Sequence, residues 1–247
     1  MTTSADQKPL AGLVHVVTGA SRGIGRAAAV ALARAGAHVI ATARTPGGLE
    51  SLDDEILAAT GERATLVPMD ITDPKSADLL GAAIYERWGH LDGMVAAAGD
   101  LGVITPLGHM EPRTFERVVA VNLTGNWRLL RSFDPLFRRA TAARVIVLTT
   151  SVAASPKAFW GAYAASKAGL EGLVGVYADE VENTAIRTTL LDPGQMRTKM
   201  HATAFPGADP KTITPPEAIG PLVVQLARPD LTPPARVRFT DWAEAAT

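Results

Sequence analysis

Tyr163 and Lys167 stand four residues apart in the alanine-rich stretch AYAASKAGL, residues 162–170. A helix brings positions i and i+4 to one face, so the two side chains can meet. Taken alone, they read first as two ordinary polar residues of a helix. The chemical alternative is an acid held by a cation. A free phenol titrates near about 10, and a neighbouring ammonium favours the phenolate and draws that value toward working pH. A phenol so tuned gives up or takes back a proton, which is general acid–base work.

A second constellation is TGASRGIG, residues 18–25. Gly19 can adopt a positive φ, Gly23 lets the backbone approach a phosphate, and Gly25 lets a helix pack closely on a strand. A helix starting there offers free N–H groups and the positive end of its dipole to a pyrophosphate. Tight turns also use glycine, so the place of the cluster in the chain matters as much as its composition.

An alternating pattern sets that place. Strand-like runs at 13–19, 37–43, 64–70, 92–99, 144–150 and 186–192 alternate with helix-length segments at 23–35, 47–59, 74–88, 112–139 and 161–182. Strands this apolar, separated by helices, predict an α/β fold with a doubly wound parallel sheet covered on both faces. The run RVRFT, 236–240, supplies one final strand and brings the count to about seven. No internal repeat or linker interrupts the chain, and 1–247 reads as one domain. Residues 193–216 are irregular, with prolines at 193, 206, 210, 215 and 216. They follow a strand end, where open α/β sheets bind ligands, so 195–213 reads as a substrate lid or as a plain surface loop.

Composition narrows the function classes. The 247 residues carry a formal net charge of −1, which argues against nucleic acid or an acidic membrane as partner. Cysteine is absent, and the five histidines are scattered without ligand spacing, so no metal site is expected. The N-terminal MTTSADQKPL has no cationic start followed by an apolar run, and no segment approaches a membrane span. A soluble, cytoplasmic protein is the expectation.

The G-x-x-x-G-x-G spacing of 19–25, together with Y-x-x-x-K at 163–167, resembles the short-chain dehydrogenase/reductase family over roughly residues 10–228. The resemblance implies a Rossmann-like NAD(P)-binding fold and a catalytic tetrad of Asn122, Ser151, Tyr163 and Lys167. Family spacing to the tyrosine also admits Thr150 in place of Ser151. Tyr163 is then the proton donor to a ketone oxygen, and Ser151 hydrogen-bonds that oxygen. Lys167 lowers the tyrosine pKa and holds the nicotinamide ribose, while Asn122 holds a water that links Lys167 to solvent. Cofactor contacts are implied for Gly19, Ser21, Arg22, Gly23, Ile24 and Gly25 of the turn. They are implied also for Asp70 and Ile71 at the adenine, for Ala98 and Gly99, for Tyr163 and Lys167, and for Pro193, Gly194, Met196 and Thr198 at the nicotinamide. Ala96 departs from the family by replacing an asparagine, and the C-terminus lacks the usual glycine-rich strand.

The cofactor implied is NADP(H), with NAD(H) as the alternative. An acid that would bind both ribose hydroxyls is missing after the second strand, where Ala43 is followed by Arg44 and no acid occurs before Glu50. Arg44 and Arg22 suit a 2′-phosphate instead. The function implied is hydride transfer between NADP(H) and a small carbonyl or alcohol substrate, by a homodimer or homotetramer. A 3-oxoacyl-carrier-protein reductase is one rival; it needs a basic docking patch, for which Arg128, Arg131, Arg138, Arg139 and Arg144 are candidates. A solvated helix face explains the same arginines. The other rival is an NADP(H)-binding sensor without turnover. Substrate loops fall at 99–111, 152–161 and 195–213, where Phe159, Trp160 and Phe205 suggest an apolar component.

Overall fold

The computed structural model describes residues 8–245. Its centre is one seven-stranded, wholly parallel sheet with strand order β3-β2-β1-β4-β5-β6-β7. The strands are β1 (Val14–Thr18), β2 (His38–Ala43), β3 (Thr65–Pro68), β4 (Gly93–Ala96), β5 (Arg144–Leu148), β6 (Arg187–Asp192) and β7 (Arg236–Arg238). The chain reverses its direction of progress across the sheet between β1 and β4, which opens a crevice at their carboxyl ends.

Both faces are covered, as continuous apolar strands require. Against one face lie α1 (Gly23–Arg34), α2 (Pro46–Thr60) and α9 (Gly220–Ala227), around Val17, Val39, Leu32 and Leu222. Against the other lie α3 (Ser76–Trp88), α5 (Gly125–Phe137) and α7 (Gly161–Glu180), around Val16, Met94, Phe133 and Leu170. Alternation along β1 sends Val14 and Val16 to one face and His15 and Val17 to the other.

One row across the sheet is polar. His15 pairs with Gly93 and Gly93 with Arg144. A Cβ on Gly93 would stand 2.4 Å from His15 Nδ1 and 2.7 Å from the Arg144 carbonyl, so glycine makes the room for both neighbours. Among the described residues neither ring nitrogen of buried His15 has a hydrogen-bond partner, and burial lowers its pKa to about 4. The Arg144 guanidinium donates instead to the carbonyls of Arg228, Pro229 and Leu231, which ties the chain after α9 to β5.

The anticipated helix 112–139 is three segments: α4 (Pro112–Val119), a π turn (Ala120–Thr124) and α5. Gly125 N–H reaches back five residues to the Ala120 carbonyl. Apolar periodicity does not reveal such an insertion, and π turns gather at functional sites. The last strand ends at Arg238, because buried Phe239 begins α10 (Phe239–Ala245), whose Trp242 donates to Gln225 on α9 at 2.9 Å. The stretch 195–213 is not irregular throughout, since α8 (Lys199–Ala204) lies within it, capped by Thr198. A short α6 (Ser151–Ala154) follows β5.

Candidate active site

The glycine turn is built by contacts that exclude side chains. Gly19 has φ +65°, and a Cβ there would meet the Ala98 backbone at 2.9 Å. The Thr18 hydroxyl fixes that approach by accepting from the N–H groups of Ala97 and Ala98 at 3.1 and 3.0 Å. A Cβ on Gly25 would stand 2.4 Å from the Gly19 carbonyl oxygen, so α1 starts directly against the turn. Gly23, with φ +58°, faces Thr198 from across the crevice, and Ser21 packs against Gly48. The start of α1 therefore presents open backbone, as a diphosphate cradle requires.

Arg22 and Arg44 flank this turn, both exposed. Among the described residues neither guanidinium has a hydrogen bond or ion pair, in contrast to that of Arg26, which is held by Glu55 and Ser51. Asp70 sits at the end of β3 with Oδ1 accepting from both the N–H and the hydroxyl of Thr72, and Ile71 packs on Gly125. Gly99 lies beside the Asn122 side chain. Pro193 and Gly194 (φ +67°) turn the chain after β6, and buried Met196 is fixed by a bridge to Thr214.

Three elements, the π turn, α6 and α7, bring the anticipated tetrad to the same edge. Asn122 lies in the π turn, fully buried; its Oδ1 accepts from Asp100 N–H and its Nδ2 donates to the Asp100 carbonyl and to Ser166 Oγ. Both polar atoms of the side chain are thus engaged in joining β4's exit loop to α7. The Asn122 carbonyl accepts from Asn126 Nδ2 at 2.8 Å. Ser151 opens α6 with its residue exposed, while the Thr150 hydroxyl is engaged as the helix cap, accepting from Val152 N–H.

Tyr163 and Lys167 occupy one face of α7, as their spacing predicts. Lys167 is 4% exposed and its Nζ donates to the Leu148 carbonyl at 2.7 Å. Burial pulls its pKa down to about 8, against the opposing pull of Glu171. Tyr163 moves contrary to the sequence expectation. Burial, and then the Asp192 carboxylate, push the phenol up to about 12. Desolvation disfavours phenolate and ammonium alike, and the Lys167 ammonium is turned to β5.

Tyr163, Ser151, Ile24, Pro193, Met196 and Thr198 line one cavity. Its outer wall is aromatic: Trp160 meets Tyr163 edge-on at 5.9 Å and Phe205 at 5.8 Å, and His201 lies 5.0 Å from Phe205. Phe159, the residue before Trp160, holds φ +76°, a conformation that costs a non-glycine residue about 1–3 kcal/mol. Asp192, Asn126, Thr149 and Glu171 were missed by sequence reasoning. Glu171 alone had a readable signal, the i, i+4 step from Lys167.

The five candidate docking arginines all have partners. Arg128 donates to the Thr72 carbonyl, Arg131 to both oxygens of Asp78, Arg138 to Asp134 and Arg139 to the Gly89 carbonyl; Arg144 is the buried sheet residue described above. The described residues contain no helix long and apolar enough to cross a membrane and no cluster of three metal-ligating side chains.

The sequence pattern of the short chain dehydrogenase family matches residues 13–209. This chain belongs to that family. It is 36% identical over 219 residues to the uncharacterized oxidoreductase YciK of Escherichia coli, covering 88% of this chain and 86% of YciK. It is 32% identical over 254 residues to the uncharacterized NAD-dependent oxidoreductase Rv0687 of Mycobacterium tuberculosis, covering 91% and 92% of the two chains. Among solved structures, a short chain dehydrogenase from Shigella flexneri complexed with NADP superposes with a TM-score of 0.90 at 33% identity, over 94% of this chain and 98% of that one. This short-chain dehydrogenase is accordingly an oxidoreductase with the Rossmann-like fold its motifs imply.

Proposed function

We propose that the chain is an NADP(H)-dependent reductase of small carbonyl compounds, acting through Asn122, Ser151, Tyr163 and Lys167 in one domain. The observation that carries this reading is a single cavity in which the Tyr163 phenol, the Ser151 residue and the start of α1 converge. The residues fit a dinucleotide: glycines at 19 and 25 leave no room for a Cβ, and beside the turn stand two guanidinium groups without a partner among the described residues. When bound, NADPH supplies the hydride. Everything else falls to the chain. Ser151 Oγ donates a hydrogen bond to the substrate oxygen, and Tyr163 passes its proton to that oxygen as negative charge develops there. A phenol pushed up to about 12 stays protonated at neutral pH, which suits an acid in the direction of reduction. Lys167 supplies positive charge under the site, and the segment 195–213 closes over it as a lid, with Phe205 and Trp160 against the apolar part of the substrate.

Partners already held by Arg128, Arg131, Arg138, Arg139 and Arg144 leave little free charge for an acidic carrier protein, which favours a small free substrate. The cofactor preference rests on Arg44 and Arg22. A hydrogen bond to a charged group contributes about 1.5–3 kcal/mol, so Arg44→Ala is expected to weaken NADPH binding about 10- to 150-fold. NADH affinity should stay unchanged. Calorimetric titration of both nucleotides checks this, and equal losses for the two would contradict a 2′-phosphate contact.

A further inference from the structure

One face of α7 carries Tyr163, Lys167 and Glu171 at successive turns. The first two have a role in the reading above; the third does not. Glu171 Oε1 accepts from the Thr149 hydroxyl at 2.5 Å, and Oε2 accepts from Arg236 at 2.5 Å. Thr149 directly follows Leu148, whose carbonyl accepts from Lys167 Nζ. Two consecutive residues at the end of β5 therefore hold two consecutive turns of α7, and the same backbone runs on into Thr150 and Ser151. Arg236 comes from β7, so the carboxylate joins the catalytic helix to two strands.

The hydrogen bond of buried Lys167 goes to a neutral carbonyl, and an ammonium so placed pays for desolvation without a paired charge. We propose that Glu171, clamped by Thr149 and Arg236, is a positioning residue that keeps Lys167 charged and seated on β5. The proposal rests on the reductase reading for its kinetic consequence, not for the charge balance itself.

The surrounding charges agree with this. Burial takes Lys167 down to about 8 and Glu171 opposes that fall. Burial pushes the Glu171 carboxyl up, but the Arg236 and Thr149 hydrogen bonds and the charges of Arg236 and Lys167 bring it below its ordinary value. Of the other nearby groups, Asp192 on β6 faces Arg238 of β7 at 3.7 Å. Tyr163 is neutral, pushed up by burial and Asp192. The π turn contributes uncharged Asn122, the end of β5 contributes the Leu148 carbonyl, and Thr149 after it contributes a hydroxyl. Glu171, one turn along α7 and itself paired with Arg236, is the carboxylate whose charge raises the Lys167 value.

The direct measurement is an NMR titration of the full chain labelled at lysine Cε, with Lys167 assigned from the Lys167→Gln spectrum. Wild type is expected to titrate near 8. In Glu171→Gln the value should fall by about one unit or more, a tenfold loss of charged lysine above it. Glu171→Asp keeps the charge but withdraws it by one methylene, and predicts a smaller fall; it also serves if the glutamine variant does not fold. A Lys167 signal titrating within about 0.3 units of wild type in both variants overturns the proposal. Turnover separates the two ideas. A wild type that reduces no carbonyl yet shows the shift contradicts the reductase reading alone. Active wild type with an unshifted lysine contradicts the positioning role alone.

Discussion

Tyr163→Phe is expected to lower kcat for carbonyl reduction by about 10²–10⁴-fold, the usual worth of a positioned general acid. The phenylalanine keeps the ring that meets Trp160 edge-on at 5.9 Å, so cavity shape and fold should survive. What goes is the proton donor. The Thr150 hydroxyl is engaged as the α6 cap, and Lys167 Nζ is bonded to Leu148. NADPH binding should change little, because the glycine turn, Arg22 and Arg44 are untouched. Stopped-flow measurement of NADPH oxidation, alongside a binding titration, distinguishes the cases. A variant that binds NADPH and still reduces substrate within threefold of wild type would remove Tyr163 from the chemistry.

The second large effect is on stability, at His15. Its folded pKa of about 4 lies below the ordinary 6.5, because burial disfavours the charged ring. The unfolded chain therefore binds this proton first as pH falls. Stability from neutral His15 is complete above about 6.5, drains away between 6.5 and 4, and is gone below 4. Two and a half pKa units at about 1.4 kcal/mol each make the total roughly 3 kcal/mol. His15→Leu removes the titration and two buried nitrogens without partners, while Gly93 leaves space beside the new side chain. Urea unfolding of both proteins at pH 7.5 and 4.5 measures it. The variant is expected to gain about 2–3 kcal/mol on wild type between the two pH values; a gap that does not change with pH would contradict it.

The strands, their parallel sense and the glycine turn were legible because each shows in contiguous runs of residues and their alternation. Apolar runs such as LVHVVTG and RVIVLTT have no polar face to expose, so they had to be interior strands. Tyr163 and Lys167 were legible for the same local reason. What escaped depends on partners far away in the chain. The His15–Gly93–Arg144 row exists only once β1, β4 and β5 are in register. Glu171 gains meaning from Arg236, sixty-five residues on. The π turn is a change in hydrogen-bond reach that leaves the apolar pattern of 112–139 intact. The rise of the Tyr163 pKa escaped because spacing records a cation nearby but not the loss of water from both groups.

The short α10 was hidden by its composition: FTDWAEA follows a strand-like RVR, and its helix packs on neighbouring elements through Phe239, Trp242 and Ala243. The five arginines were readable as a basic surface until the structure supplied their partners, two of them carboxylates and the rest backbone carbonyls. Charge counted along a sequence overstates free charge on a surface for this reason.

The most direct measurement is NADPH oxidation by the purified chain across a panel of aldehydes and ketones, with NADH run in parallel. Turnover with NADPH on carbonyls bearing an apolar or aromatic group, faster than with NADH, is the predicted result. Tight NADPH binding without turnover on any carbonyl would contradict a reductase and leave a nucleotide-binding sensor in its place.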